Sequence, residues 1–323
     1  MKSFIPKAAN RLMPVFDVIL LVFTIPSALL MKMIRSLGLQ RLPLCRNMLF
    51  NIGVFPIRNH FTEPRFDHRD TREDFSSDRS LPGIDWNERG QLALLEQLTY
   101  AGEMRQLPAR KLEKNRFYFE NGVFAHGDSE IWYQIIRAKK PSRIYEIGSG
   151  FSTLMAMEAI KKNREEDPGY HCDHVCIEPY SSLWLEETGV KVVREPVEKL
   201  GVGYFSQLQR DDILFIDSSH VINAEGDVVF EYLDLLPTLA PGVIVHAHDI
   251  FSPKNYPKNW LVEDVRLWGE QYLLEAFLTH NKEWKVICAL NYLSHHHREQ
   301  LKAAAPRVDA TCDPSSFYIQ RQG

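Results

Sequence analysis

Apolar residues fill positions 18–31 (VILLVFTIPSALLM) without a single charge, and nowhere else does the chain hold so long an uncharged apolar run. Further along, the pattern changes twice. Residues 91–104 (QLALLEQLTYAGEM) carry apolar side chains at helical spacing, which predicts a helix. From about residue 120 short apolar runs alternate with amphipathic stretches. The runs at 143–147 (RIYEI), 174–177, 191–193, 212–216 (DILFI), 243–245, 284–290 and 317–320 read as strands. The stretches at 128–137, with Asp128-Ser129 as a candidate N-cap, and at 153–162, 183–187, 227–236 and 262–278 read as helices. Strands alternating with helices predict an α/β domain, a seven-stranded and mostly parallel sheet with helices on both faces and right-handed crossovers.

The first apolar run divides the chain. Fourteen helical residues rise about 21 Å, short of the roughly 30 Å of a hydrocarbon core. Widening the run to 15–34 reaches a spanning length but takes in Asp17 and Lys32. Pro26-Ser27 sits in mid-run, where a proline kinks a helix. Residues 1–50 hold seven Lys/Arg (Lys2, Lys7, Arg11, Lys32, Arg35, Arg41, Arg46) against Asp17, a net charge of +6 that leaves −10 for the rest. Basic residues on both sides give no orientation by the positive-inside rule. A re-entrant or interfacial anchor with both ends in the cytoplasm fits these features best. A single span, a cleaved signal peptide and a buried helix of a soluble protein remain alternatives. A basic, apolar start favours a membrane surface as partner, and an acidic body argues against nucleic acid. Five cysteines at irregular spacing are no disulfide framework. Three regions are expected: a membrane-anchor segment over 1–45, a connecting arm with a helix over 46–119, and a catalytic domain over 120–323. Residues 44–82, with the charged stretch Glu63-Pro64-Arg65-Phe66-Asp67-His68-Arg69, read as an arm without a core of its own.

The first predicted strand runs straight into Gly148-Ser149-Gly150, where the next helix begins. In parallel sheets ligands bind outside the carboxyl ends of the strands. Glycine there lets the backbone approach a ligand, and the helix N-terminus favours negative groups. Glu178 follows the second strand, 32 residues after Glu146. A carboxylate there can accept hydrogen bonds from both hydroxyls of a ribose. A dinucleotide fingerprint wants a third small residue, Gly or Ala, where this chain has Thr153. Glu146-Ile147-Gly148-Ser149-Gly150 resembles the E-x-G-x-G signature of the class I methyltransferases that use S-adenosylmethionine (SAM). The resemblance implies a Rossmann-like fold and SAM as cofactor. It makes Glu146 a partner of the SAM amino group, with Gly148, Ser149, Gly150 and Glu178 as further contacts. Asp128, after a stretch (115–127) that could close over the SAM carboxylate, is a further candidate contact.

Asp217-Ser218-Ser219-His220 follows the fourth strand and His248-Asp249 ends the fifth. Adjacent strands bring their ends together, and oxygen ligands with one imidazole suit Mg²⁺ or Mn²⁺. The arrangement resembles the metal-dependent O-methyltransferases of sugars and related hydroxyl compounds found in bacterial surface-polysaccharide pathways. That resemblance implies Asp217, His248 and Asp249 as metal ligands and His220, neutral near pH 7, as general base. It implies transfer of a methyl group to a hydroxyl of a sugar or glycolipid intermediate, at the cytoplasmic face of a bacterial inner membrane. The family pattern has an acid where this chain has His248. The competing readings are a non-catalytic SAM-binding module tethered at a membrane, a nicotinamide-dependent oxidoreductase, and a soluble methyltransferase of a phenol or antibiotic precursor.

Some features stay outside this scheme. His171-Cys172-Asp173-His174-Val175-Cys176 looks like a zinc cluster, but successive strand side chains face opposite ways and no second ligand pair is clear. His295-His296-His297 reads as a loop, with a lid or substrate contact as the alternative. Trp260, Trp268 and Tyr272 read as core, with a sugar platform as the alternative, and Asn255-Tyr256-Pro257 as a mobile substrate loop.

Overall fold

The computed structural model describes residues 7–60, 62–68, 74–124, 126–180 and 183–323, and of residues 7–12 and Leu183 the backbone alone. Lys2, counted above among the basic residues, and Arg69, the end of the charged stretch, lie outside the described residues. The chain forms two units, Met1–Thr71 and Arg72–Gly323, rather than three regions meeting at 45 and 119. Much of the expected arm belongs to the second unit's core, because Leu94, Leu95, Leu98, Met104, Phe117 and Phe119 pack into it.

In the first unit, helix α1 (Lys7–Leu37) runs on through Pro14 and Pro26. A helix interior needs no break at proline if one lost amide bond and a bend are tolerated. From Met13 to Leu37 it is apolar enough to cross a membrane, and most of its side chains are exposed. Helix α2 (Pro43–Ile52) folds back, and Leu49, Leu39 and Ile34 close a small core. Gly53, left-handed at φ 77°, ends α2.

The second unit opens with helices α3 (Glu88–Gln97) and α4 (Asp128–Lys139). Strands and helices then alternate: β1 (Arg143–Ile147), α5 (Phe151–Glu166), β2 (Asp173–Ile177), α6 (Leu183–Glu186), β3 (Lys191–Val193), α7 (Val197–Leu200), β4 (Ile213–Ile216). They continue as α8 (Asp227–Val229), β5 (Ile244–Ala247), α9 (Lys258–Val262), α10 (Glu270–Leu278), β6 (Trp284–Ala289), α11 (Leu290–His296), α12 (Arg298–Ala304) and β7 (Phe317–Arg321). The seven strands form one sheet in the order β3-β2-β1-β4-β5-β7-β6. The first five are parallel, and β7 runs antiparallel between β5 and β6.

Alternation along the strands builds two cores. Ile144, Ile213, Phe215, Ile244, Cys288 and Tyr318 face the layer of α3, α4, α5, α11 and α12. Tyr145, Ile147, Leu214, Ile216, Val245 and Ile319 face the opposite layer, which includes α10. Three helices differ from expectation. The 91–104 helix starts at Glu88 and stops at Gln97, with a short 3₁₀ turn at Glu103–Gln106. After α8 the chain continues as a π-helical turn, Phe230–Leu235. The long 262–278 helix is two, α9 and α10, because Val265 takes a left-handed φ of 53° and the Gly269 amide leaves the helix to bond the His220 carbonyl at 2.9 Å.

Candidate active site

β1, β4 and β5 end side by side, and the turns that leave them build the site. Gly148 follows β1 with φ +82°, and a Cβ on it would stand 2.1 Å from the Asp217 carbonyl oxygen. The Asp217 amide reaches the Ile147 carbonyl at 2.9 Å and draws the two strand ends together. Only glycine fits this turn. Gly150 has an extended φ of −173°, so its conformation does not require glycine, and the space around it is open. The Ser149 hydroxyl is buried with no partner. A cleft of about 520 Å³ starts here and brings together Gly148, Glu178, Asp217, Ser218, Asn223 and Asp227. At its rim Glu178 accepts the Tyr180 amide through Oε1 at 3.0 Å.

Glu146 lies beneath the turn and not in the cleft. It is fully buried, its Oε1 sits 2.7 Å from His174 Nε2, and its Oε2 accepts the hydroxyls of Thr153 (2.7 Å) and Ser152 (3.2 Å). The expected contact with a ligand amino group therefore has no open surface, because these neighbours enclose both oxygens. Burial draws the His174 pKa down, but Glu146 and then Cys176 outweigh it and hold it at about 10. Cys176 joins this group, with one ligand atom from each of the three residues within 4.8 Å of the others. Two cluster residues at alternate strand positions thus share a face after all, with Glu146 from the next strand as the third member.

On the other side of β1, Asp217, His248 and Asp249 also offer ligand atoms within 4.8 Å of one another. Here the distances are too long for hydrogen bonds. His248 Nδ1 lies 3.5 Å from Asp217 Oδ1 and 3.6 Å from Asp249 Oδ1, and both ring nitrogens are buried without a partner. Asp249 holds a left-handed φ of 59°, which turns its carboxylate toward Asp217, and its Oδ1 accepts the Ser315 hydroxyl at 3.1 Å. An unpartnered buried imidazole between two carboxylates fits a hard divalent cation with one nitrogen ligand. Burial lowers the His248 pKa, but Asp249 and Asp217 carry it well above the ordinary value. Burial raises both carboxyls. Against that, His248 and His220 hold Asp217 low, while Asp249 stays raised.

His220 completes the cluster. Its Nε2 is 3.3 Å from Asp217 Oδ1 and 3.8 Å from Asp249 Oδ2, and its φ of 62° is left-handed. Its Nδ1 meets Glu270 Oε2 at 2.6 Å, and the Tyr232 hydroxyl donates to the other Glu270 oxygen at 2.7 Å. Trp268 lies over the imidazole, centroids 4.2 Å apart. Burial lowers the His220 pKa, yet Asp217 and Glu270 raise it to about 10. Carboxylates thus face both ring nitrogens of His220, an environment that favours its protonated form. Glu270 was not among the expected site residues. It lies 50 residues from His220 inside an amphipathic stretch, and its one signal was an acid on the apolar face of a helix.

Asp128 is displaced from its expected role. Its Oδ1 accepts the amides of Ser315 (2.9 Å) and Ser316 (2.7 Å), fastening α4 to the start of β7. Its Oδ2 lies 3.9 Å from His248 Nε2, so it borders the metal-type cluster and not the glycine turn. Gly127 caps α4 in its place. His295 and His296 lie on α11, not in a loop, and His296 bonds Asp78 at 2.6 Å while stacking on Tyr292. Tyr256 is buried, and its hydroxyl accepts the Gln271 amide at 3.0 Å, so that turn is anchored. Trp260 and Trp268 are half-buried and hold the Arg266 guanidinium between them, 3.9 and 4.5 Å from their rings.

Residues 145–250, the span that holds both clusters, match the family model described as a methyltransferase domain. A protein of Archaeoglobus fulgidus described as uncharacterized is 32% identical over 145 residues, 42% of this chain. The chain spans 63% of that relative's length. Among solved structures, an O-methyltransferase from Bacillus cereus in complex with SAH is similar at 13% identity and a TM-score of 0.36, over 72% of this chain and 91% of its own. The plantazolicin methyltransferase BpumL with SAH is 14% identical, TM-score 0.36, over 73% and 99%. The MycE methyltransferase of the mycinamycin pathway, with Mg and SAH, is 12% identical, TM-score 0.32, over 70% and 54%.

Proposed function

We propose that this protein transfers a methyl group from SAM to a hydroxyl of a sugar or glycolipid intermediate, with a divalent cation and His220 as general base. The observation that carries the reading is that Gly148, Glu178 and Asp217 line one cleft, so the glycine turn and one carboxylate of the cluster address the same space. Gly148, Ser149 and Gly150 hold the donor against the start of α5, and Glu178 accepts the ribose hydroxyls. Asp217, His248 and Asp249 hold Mg²⁺ or Mn²⁺. A bound cation lowers the pKa of a hydroxyl attached to it, and SAM supplies an electrophilic methyl.

The chain's own residues do the rest. A cation held by Asp217 and Asp249 would offset the carboxylates that face His220 Nε2, the nitrogen that would take the acceptor's proton. Glu270, itself fixed by Tyr232, keeps Nδ1–H in place and selects that tautomer. Trp268 braces the ring. The new O–C bond forms as the C–S bond breaks, and the acceptor proton stays on His220. Apolar α1, with basic residues near both ends, supports association with a membrane, and a cytoplasmic face accords with the supply of SAM. The test is a SAM-dependent methylation assay on membrane glycolipid extracts, with and without Mg²⁺. Transfer that needs both is expected, and turnover undiminished in excess EDTA rules out the cation.

A further inference from the structure

The first unit carries a cleft of about 550 Å³ at the end of α1. Ala28, Met31, Lys32 and Ser36 line it from one face of α1, at the spacing of successive helical turns. The chain comes back from α2 alongside them, and Pro56–His60 make the other wall, with Arg58 and Asn59 at its polar end. The cleft is thus apolar toward the middle of α1 and basic toward its close.

The charges there do not cancel. Arg35 and Arg58 both bind Glu63, at 2.7 and 2.8 Å, and this pair of guanidinia shares one carboxylate. Arg35 and then Arg58 hold that carboxyl down at about 2, so it stays ionised. Arg58 meets Glu63 through Nε, while Arg35 Nε is buried without a partner. Lys32 is exposed and makes no ion pair among the described residues, so the three cations exceed the one carboxylate by two. Charged side chains avoid hydrocarbon. The returning segment therefore sets the polar boundary of a bilayer at the level of residues 28–36. Exposed apolar side chains of α2 and the turn after it, Leu44, Met48, Phe50, Ile52 and Phe55, suit the same boundary.

We propose that this cleft binds the phosphate-bearing headgroup of a membrane lipid, with Lys32, Arg58 and Asn59 on the phosphate and Ala28 and Met31 beside the first acyl carbons. The inference rests on the membrane association read above from α1. It names a lipid phosphate as the ligand because the cleft joins an excess of cations to an apolar wall continuous with α1.

The test uses full-length protein and vesicle flotation with three compositions: phosphatidylcholine alone, with phosphatidic acid, and with phosphatidylserine at matched surface charge. Binding to all three is expected, with phosphatidic acid preferred. Lys32→Gln should weaken the phosphatidic acid binding about fivefold, the worth of one cation near a lipid surface. Arg46→Gln removes the same charge from α2 outside the cleft and should leave the preference intact. Loss of the preference in both variants, or equal binding to the two anionic vesicles, overturns the cleft while the membrane reading stands. No binding to phosphatidylcholine overturns the membrane reading itself. Inorganic phosphate that abolishes the preference at constant ionic strength, and binds as well as the lipid, shows a soluble anion site and overturns the lipid assignment.

Discussion

Two clusters flank the β1 end, and both join histidine to carboxylate. In Glu146, His174 and Cys176 the carboxylate is satisfied: one imidazole nitrogen meets it at 2.7 Å and two hydroxyls complete it, while His174 Nδ1 has no partner. In Asp217, His248 and Asp249 the separations are 3.5 and 3.6 Å, and the imidazole has no hydrogen bond at either nitrogen. Burying a polar group without a partner is costly. The first cluster therefore joins its imidazole to its carboxylate by a hydrogen bond, and the second holds its imidazole apart from both of its carboxylates. Composition alone does not separate them, since each meets the same ligand-distance condition. Hydrogen-bond satisfaction does.

The contrast can be broken from either side. His220→Ala is expected to have the largest effect, lowering the methyl-transfer rate by about 10² to 10⁴. SAM affinity by calorimetry should stay within a few-fold, and a collapse of SAM binding would make His220 structural. Next, His174→Ala strikes the satisfied cluster and should cost about 3–5 kcal/mol of stability in denaturant melts, because Glu146 is left buried and unpaired. Metal affinity should not change. The pH dependence sharpens this. His174 has its folded pKa raised from 6.5 to about 10, so its stabilisation is fully present below pH 6.5 and is lost as pH rises toward 10. The stability gap between wild type and His174→Ala should narrow over that range, and a constant gap would contradict the ion pair.

Asp217→Asn comes third. Mn²⁺ affinity, read by electron paramagnetic resonance, should fall at least about tenfold with the fold intact. Unchanged Mn²⁺ binding would remove the metal assignment. Gly148→Ala is the smallest, about 1–3 kcal/mol in thermal unfolding, since the neighbouring Asp217 carbonyl must move to admit the methyl. A neutral result would mean that the β1 and β4 ends are less tightly joined than their 2.9 Å bond implies.

The sheet was legible because a buried strand such as Ile213–Ile216 is a continuous apolar run, and glycine at 148 marks a turn that only glycine can make. The grouping of Asp217, His248 and Asp249 was legible too, since strand ends that neighbour in a parallel sheet bring their turns together. What failed was local periodicity without tertiary context. Residues 262–278 keep a helical rhythm, yet the His220 carbonyl takes the Gly269 amide and α10 begins only there. Glu270 gave no motif because its role exists only through a fold contact with His220. Asp128 looked like a cap or a ligand contact, but the two serine amides of the β7 entrance claim it. The protonation of His220 was out of reach for the same reason: it depends on two carboxylates that the chain brings from elsewhere.

The placement of β7 between β5 and β6 orders events during synthesis. β6 leaves the ribosome before the strand that attaches it, and has no sheet neighbour until β7 follows. Until then β5 also keeps a bare edge, Asp128 has no serine amides to grip, and Asp249 lacks the Ser315 hydroxyl. A nascent chain paused before residue 315 therefore holds the glycine turn without the contacts that fix Asp128 and Asp249, and exposes two strand edges open to misassembly.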